Sequence, residues 1–321
     1  MRTRTFTGGV ICLALVAALS ANAPAKDDKA TQVLAAARKA IGDKKVETLK
    51  TLSIEASVQR NLNAMQITSE VEILIELPDK YVRSDIAGGP MNASFSIGFN
   101  GDKPIRPTNS TTMAGGGLMI RMGPGGPMPS GEKLTPEEQE KADKLMLRTA
   151  RADASRLMLG WIASVHPALE AQYTYAGEAE SPDGKAFVID ANNADGFAAR
   201  LFIDQQTSLP LMVTYQGPQP RMVTVGGPGR GGDGRGQRGQ RDMTDEERKK
   251  LREAAEKQMQ EIQKEPPALV EFTVFFDDWR EVGGLKFPHK LRRASGGTTN
   301  EEWTINKVKV NSKIDQKKFE G

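Results

Sequence analysis

One cysteine, two histidines, three tryptophans and four tyrosines occur in 321 residues, and aromatic residues make up only 6% of the chain. A single thiol, Cys12, cannot build a disulfide framework within the chain. Two histidines, His166 and His289, each beside a proline, are too few for the ligand sets of a zinc site, and neither sits in a pattern that supplies the placed base of a catalytic triad. No metal, no cofactor and no enzymatic activity are therefore expected. Net charge is also scarce. Of 44 Lys and Arg, Arg2 and Arg4 belong to an N-terminal leader, and the remaining 42 face 41 Asp and Glu. Near-neutrality argues against nucleic acid as a partner, because such binding depends on many phosphate contacts. After the leader no apolar run approaches the roughly 20 residues of a membrane-spanning helix.

The leader itself is distinctive. Arg2 and Arg4 precede an almost wholly apolar stretch over residues 10–19, and small residues follow at 20–25, which is the layout of a secretory signal peptide. Cleavage after Ala25 is expected in preference to Ala23, whose scissile bond would be followed by Pro24. Cys12 follows Ile11 rather than a small residue, which disfavours a lipid-anchored N-terminus. Residues 1–25 are thus read as a signal peptide and 26–321 as a single exported, periplasmic domain, a monomer.

What is abundant is alternation. Ile67, Val71, Ile73, Ile75 and Leu77 share one parity, broken only by Ser69, in a segment otherwise mostly Thr, Ser and Glu, and Leu52, Ile54, Ala56 and Val58 alternate in the same way. Successive strand side chains point to opposite faces, so these segments form an antiparallel hairpin with one dry face. Further strands are expected at residues 81–86, 94–99, 171–177, 186–191, 198–203, 211–216, 269–276, 285–292 and 301–310. Val33, Leu34, Ala37 and Ile41 mark a helix ended by Gly42. Thr135, Pro136, Glu137 and Glu138 provide an N-cap, a first-turn proline and acidic residues for a second helix, running to about residue 165, broken near 153–155 and closed by His166-Pro167. Its second half, with Leu157, Leu159, Trp161 and Ile162, is greasier than a solvated helix and must dock on something. Two insertions interrupt the pattern. Residues 111–132 are rich in Gly, Pro and Met and read as a loop, and residues 217–267 combine a Gly/Arg-rich linker with a polar helix over 244–264.

Several motifs carry no chemistry. Ser130-Gly131-Glu132-Lys133 fits S-x-x-K without its companion patterns, and residues 229–234 fit G-x-G-x-x-G without a surrounding βαβ unit. Asp277 and Asp278 are adjacent, so they cannot converge as a catalytic pair, and are read as turn residues. Met113, Met119, Met122 and Met128 could ligate Cu(I) as soft thioethers, but no His or Cys supports them, and an adaptable apolar loop is the preferred reading. Arg230, Arg235, Arg238 and Arg241 belong to a solvated tether.

The order of parts resembles a known family. The hairpin ending in LPDKYVRSD, a strand ending in FNGDKP, the segments RLFIDQQTSLPLMVTY and DDWREVGGLKFPHKL and the ending WTINKVKVNSKIDQKKF together look like the LolA/LolB-like superfamily of periplasmic lipoprotein carriers, in a divergent branch. The resemblance implies an α+β fold: a curved antiparallel half-barrel whose open side is covered by helices around a cavity for acyl chains. Candidate cavity residues are Ile54, Ile73, Ile75, Leu201, Ile203, Val213, Phe272 and Val274, with Leu157, Trp161 and Ile162 as the lid. The implied ligand is a lipid or the acyl chain of a lipoprotein, exchanged with a membrane-bound donor or acceptor protein. In the classical carrier an arginine before the proline of the LPDKY-like segment fastens the lid. Here that position is Leu77, so the latch is not carried over. The alternative is an exported protein–protein interaction module or scaffold with a filled cavity.

Overall fold

The computed structural model describes residues 23–62, 65–87, 91–105, 110–113, 118–122, 135–182, 184–219, 221–225, 246, 253 and 268–320. Fifteen strands, three α-helices and a short 3-10 helix, Gln316–Phe319, occur among them. The strands are β1 (Thr51–Leu62), β2 (Met65–Glu76), β3 (Lys80–Ala87), β4 (Met91–Asn100), β5 (Lys103–Ile105), β6 (Ser110–Met113), β7 (Leu118–Met122), β8 (Gln172–Ser181), β9 (Gly184–Asn192), β10 (Ala198–Asp204), β11 (Pro210–Pro218), β12 (Arg221–Val225), β13 (Leu269–Val282), β14 (Leu285–Ser295) and β15 (Thr298–Val310). The helices are α1 (Ala23–Ile41), α2 (Lys44–Glu47) and α3 (Pro136–Ile162).

Thirteen strands form one open antiparallel sheet, in the order β5-β4-β3-β2-β1-β15-β14-β13-β11-β10-β9-β8, with β6 beside β4. The alternating hairpin pairs with both dry faces in register, Leu52 opposite Ile75, Ile54 opposite Ile73 and Ala56 opposite Val71. α3 touches β3 to β5 at one end of the sheet and β10 and β11 towards the other, so the sheet curls round it. α1 packs on β8 and β14 on the same concave side, burying Ala30, Val33, Leu34, Ala37 and Ile41 along one stripe. The sheet is thus a half-barrel with helices laid in its open side, the architecture expected from the sequence.

Four details depart from expectation. α3 runs unbroken through 153–155, because Asp153 turns its carboxylate to Tyr81 and Arg83 instead of competing for the helix backbone. It ends at Ile162, before His166-Pro167, where Ala163 adopts a left-handed conformation and Arg38 of α1 approaches its carbonyl at 3.4 Å. The convex face is not wholly wet. Leu74, Val82 and Ile105 bury against Ile314 and Phe319 of the C-terminal segment, and Ala186, Val188 and Phe202 form a second small cluster. Asp278 lies inside β13, with φ 56 and no shift of the β13–β14 register, rather than in a turn, and bonds Arg280.

The Gly/Met-rich region contains backbone order as well. β6 and β7 lie within it, and β7 pairs antiparallel with β12, Ile120 opposite Val223, so the two insertions meet in a two-stranded ribbon. The expected signal peptide up to residue 22, Met128, the two glycine- and serine-containing motifs and the expected polar helix over 244–264 lie outside the described residues apart from isolated positions 246 and 253.

The seating of α3 depends on Gly160. A Cβ placed there would lie 1.8 Å from Cζ of Phe276 on β13. Alanine is worth about 1 kcal/mol more than glycine inside a helix, but overpacking a rigid core costs about 1–3 kcal/mol, and at this separation the clash wins. Gly160→Ala should therefore lower stability by about 1–2 kcal/mol in chemical denaturation. Combination with Phe276→Leu should recover part of that loss, a coupling that two independent sites would lack.

Candidate functional site

The concavity has two chemically different regions. The first is apolar. Ile54, Ile73 and Ile75 on β1 and β2, and Leu201, Ile203 and Val213 on β10 and β11, are all at most 1% exposed and belong to one core. Val274 is half-buried against the same core, beside Val213 in the ladder. Phe272 is buried too, but its ring stacks on Tyr215 at 5.2 Å. Between the two groups of strands lie Leu157, Trp161 and Ile162 of α3, all buried, with Trp161 packed at 5.2 Å on Phe287. The helix fills the concavity instead of roofing an empty one. Among the described residues, sheet and helix part at a narrow crevice, partly open to solvent, lined by Leu49, Leu52, Ile75, Leu77, Met158, Trp161 and Ile162. It is too thin to hold a water molecule. Leu77, where the classical carrier has its arginine, is part of this crevice.

The second region is ionic. On the same inward parity, Arg60 continues β1, Arg83 and Asp85 continue β3, Arg293 continues β14 and Glu301 opens β15. Arg60 bonds Asp85 at 2.6 Å and Glu301 at 3.2 Å, and donates to Ser69. Arg83 reaches Asp85 at 3.0 Å and Asp153 of α3 at 3.6 Å, and lies 4.7 Å from the Trp303 ring. Trp303 donates its indole N–H to Glu301 at 3.2 Å. Tyr81 donates to Asp153 at 2.5 Å, so α3 is held at its middle by one carboxylate that serves two β3 side chains. Towards the N-terminus, Arg151 bonds Asp102 at 2.7 Å and the Gly101 carbonyl at 3.3 Å, in the β4–β5 turn. The helix is thereby fastened along one flank without the missing arginine.

Burial sets the titration of these groups. For Asp85, burial favours the neutral acid, yet Arg83 and Arg60 outweigh it and hold the pKa below the ordinary aspartate value. Burial likewise opposes the Arg83 charge, and Asp85 with Asp153 restores it. The Tyr81 phenol is raised well above its usual value, first by burial and then by the neighbouring Asp153 charge. His166, fully buried after α3, is pushed down to about 4 by burial and is neutral at pH 7. Its Nδ1 accepts from the Ala168 amide at 3.1 Å and its ring meets Phe99 edge-on at 5.1 Å. His289 sits at the β14 backbone, its Nδ1 3.0 Å from the Phe287 carbonyl. No group of three or more His, Cys, Asp and Glu side chains suited to a metal occurs among the described residues.

The ionic region is absent from the sequence-derived candidates, yet a signal exists. In YVRSD, Arg83 and Asp85 share the parity of buried Tyr81, and Glu301 shares that of Trp303. Charges at inward parity on a strand must be buried, and buried charges need partners.

Asp85→Asn leaves two buried arginines short of a counter-charge and should cost about 3 kcal/mol at pH 7 in chemical denaturation. Because the folded pKa is depressed, the wild-type advantage is present above the ordinary aspartate value and disappears as pH falls below it. His166 predicts a second pH effect. A base whose folded pKa of about 4 lies below the unfolded value stabilises fully above pH 6.5 and loses that contribution on acidification. The stability difference between wild type and His166→Gln should therefore narrow by about 2 kcal/mol between pH 7 and pH 4.5.

Comparison with known proteins gives the fold a setting. No protein-family model and no curated protein matches the chain. Among solved structures it is similar to the LolA superfamily protein NE2245 from Nitrosomonas europaea, with 9% identity, a TM-score of 0.45 and coverage of 91% of this chain and 97% of that one. It is also similar to a putative outer membrane lipoprotein-sorting protein domain from Vibrio parahaemolyticus, at 10% identity and a TM-score of 0.41, covering 93% and 97%. A DUF1329 family protein from Desulfovibrio piger matches at 10% identity and a TM-score of 0.43, covering 91% and 97%. The functional reading rests on this chain's own geometry.

Proposed function

We propose that this protein is an exported, periplasmic, non-enzymatic carrier that takes up the acyl chain of a lipid or lipoprotein between the sheet and α3. The observation that carries the reading is the form of the core. The dry face of an open sheet is covered by a separate helix, and along the Leu77 to Ile162 crevice the two layers are apolar on both sides and incompletely joined. An acyl chain entering there replaces helix–sheet contacts by chain–sheet and chain–helix contacts, gaining about 0.8 kcal/mol for each CH₂ removed from water. The ligand-facing side chains are Ile54, Ile73, Ile75, Leu201, Ile203, Val213, Phe272 and Val274, with Leu157, Trp161 and Ile162 moving as the lid. A membrane-bound protein is the donor or acceptor.

A second reading is favoured by the tight filling of the concavity around Ile54, Ile73 and Trp161. On it the core is permanent, and the chain is an exported scaffold that engages a protein through the segment 244–264. Lipid extraction and native mass spectrometry of protein purified from its own host separate the two. The carrier should arrive with bound lipid in near-stoichiometric amount and keep it when 244–264 is deleted. Protein that is empty after gentle purification, and that takes up no acyl ligand offered in excess, would overturn the carrier reading and leave the scaffold.

A further inference from the structure

Arg156 of α3 stands apart from the ionic region it borders. Four arginines, Arg60, Arg83, Arg156 and Arg293, share the inner layer with three carboxylates, Asp85, Asp153 and Glu301. Each carboxylate already serves two of the other three arginines, or one arginine and Tyr81. Asp153, one helical turn before Arg156, is directed the other way, towards β3. Arg156 is left against aromatic faces, with its guanidinium carbon 3.9 Å from the Tyr215 ring centroid and 5.8 Å from that of Phe197. Its Nε is buried and has no hydrogen-bond acceptor among the described residues, and the same is true of Nε of Arg293. Arg293 meets the same tyrosine, donating to its hydroxyl at 2.9 Å, and lies 4.7 Å from the Phe272 ring. Two arginines therefore flank Tyr215, each with a buried Nε that lacks an acceptor among the described residues, and of the two only Arg293 holds a carboxylate there, Glu301 at 3.6 Å.

The energetics point to a ligand. A cation–π contact supplies about 0.5–2 kcal/mol, whereas a buried charge without a paired counter-charge costs several kcal/mol. The pair Arg156 and Tyr215 is thus a deficit in the fold, and an incoming anion removes it. Arg156, Tyr215 and Arg293 are each partly exposed, so a small group can reach them from solvent. Guanidinium edges match carboxylate and phosphate oxygens in pairs, which selects a tetrahedral or planar oxyanion over chloride.

We infer that Arg156 and Arg293, supported by Tyr215 and Phe272, form an oxyanion-binding site for a phosphate or carboxylate group at the β11–β13 side of the concavity. The group can be the head of an amphiphile whose chain lies along α3 or a free anion; the site exists whether or not the interior accepts an acyl chain.

The test uses the full chain at constant ionic strength, by calorimetric titration and thermal shift, with three probes: inorganic phosphate, a monoacyl phosphatidic acid and a neutral monoacylglycerol. Wild type should bind phosphate and gain thermal stability from it. Arg156→Gln should bind about tenfold or more weakly, while in phosphate-free buffer it should melt no lower than wild type, because an unpaired buried charge has been removed. Arg156→Lys, which keeps charge without the fork, should fall between. Arg200→Gln, which breaks an ion pair with Asp190 on the convex face, should leave phosphate binding unchanged. Tighter binding of the phosphatidic acid than of phosphate assigns the site to a lipid head, and equal binding assigns it to a free anion. Phosphate binding with neither lipid bound would retain the site and remove the acyl carrier. Absence of any phosphate effect on wild type, or an equal effect on Arg156→Gln, would overturn the inference.

Discussion

A sheet this wide cannot leave its concave face wet, and almost every other feature follows from the need to cover it, with α1 over β8 and β14 and with α3 across its middle. Strands from β8 to β5 present apolar side chains to the same side, and α3 crosses them with Leu157, Met158, Leu159, Trp161 and Ile162 buried together. Burying side chains of this size stabilises by about 1.5–3 kcal/mol each, so the second half of α3 is a principal part of the core and not an accessory. Gly160 permits the close approach, because the Phe276 ring occupies the space where any larger residue would stand. The first half of the helix makes few such contacts and is fixed instead by a capping box at Thr135 and Glu138 and by surface pairs one turn apart. The helix thus has a buried end that sets its position and an exposed end that only continues it.

Charge takes over where apolar contact stops. Along β1, β3, β14 and β15 the inward positions change from Val, Ile and Tyr to Arg, Asp and Glu within a few residues, and the carboxylates bridge arginines from separate strands. Such a network is a modest source of net stability, since desolvation opposes most of what Coulomb attraction supplies. Its geometric effect is larger. Asp153 can satisfy Tyr81 and Arg83 together only when α3 lies at one rotation and one height, so the ionic cluster fixes a register that the apolar contacts alone would leave free.

The sequence made the architecture readable because its strands alternate cleanly. Period-two patterns placed the β1–β2 hairpin with both dry faces correctly opposed, and the Thr135 to Glu138 signature placed the start of α3. The segments 118–122 and 221–225 were less legible, since pairing of β7 with β12 joins stretches about a hundred residues apart and neither shows a period of its own. Asp153 was misread as a helix break because a short polar side chain mid-helix usually competes for the backbone, and only the fold brings Tyr81 within its reach. Arg60, Arg83, Asp85, Arg293 and Glu301 were overlooked for a related reason. Each looks like a solvated strand residue until parity is followed strictly, and the partners that allow burial come from strands remote in the chain.

The β7–β12 ribbon has a consequence for anyone redesigning this chain. Its two halves satisfy each other's backbone groups, Ile120 with Val223 and Met122 with Arg221 at matching positions. Trimming only one of them exposes a lone strand edge on the survivor, an invitation to intermolecular pairing. The pair has to be excised or transplanted as one unit, which makes these two distant stretches a single engineering module despite their separation along the polypeptide.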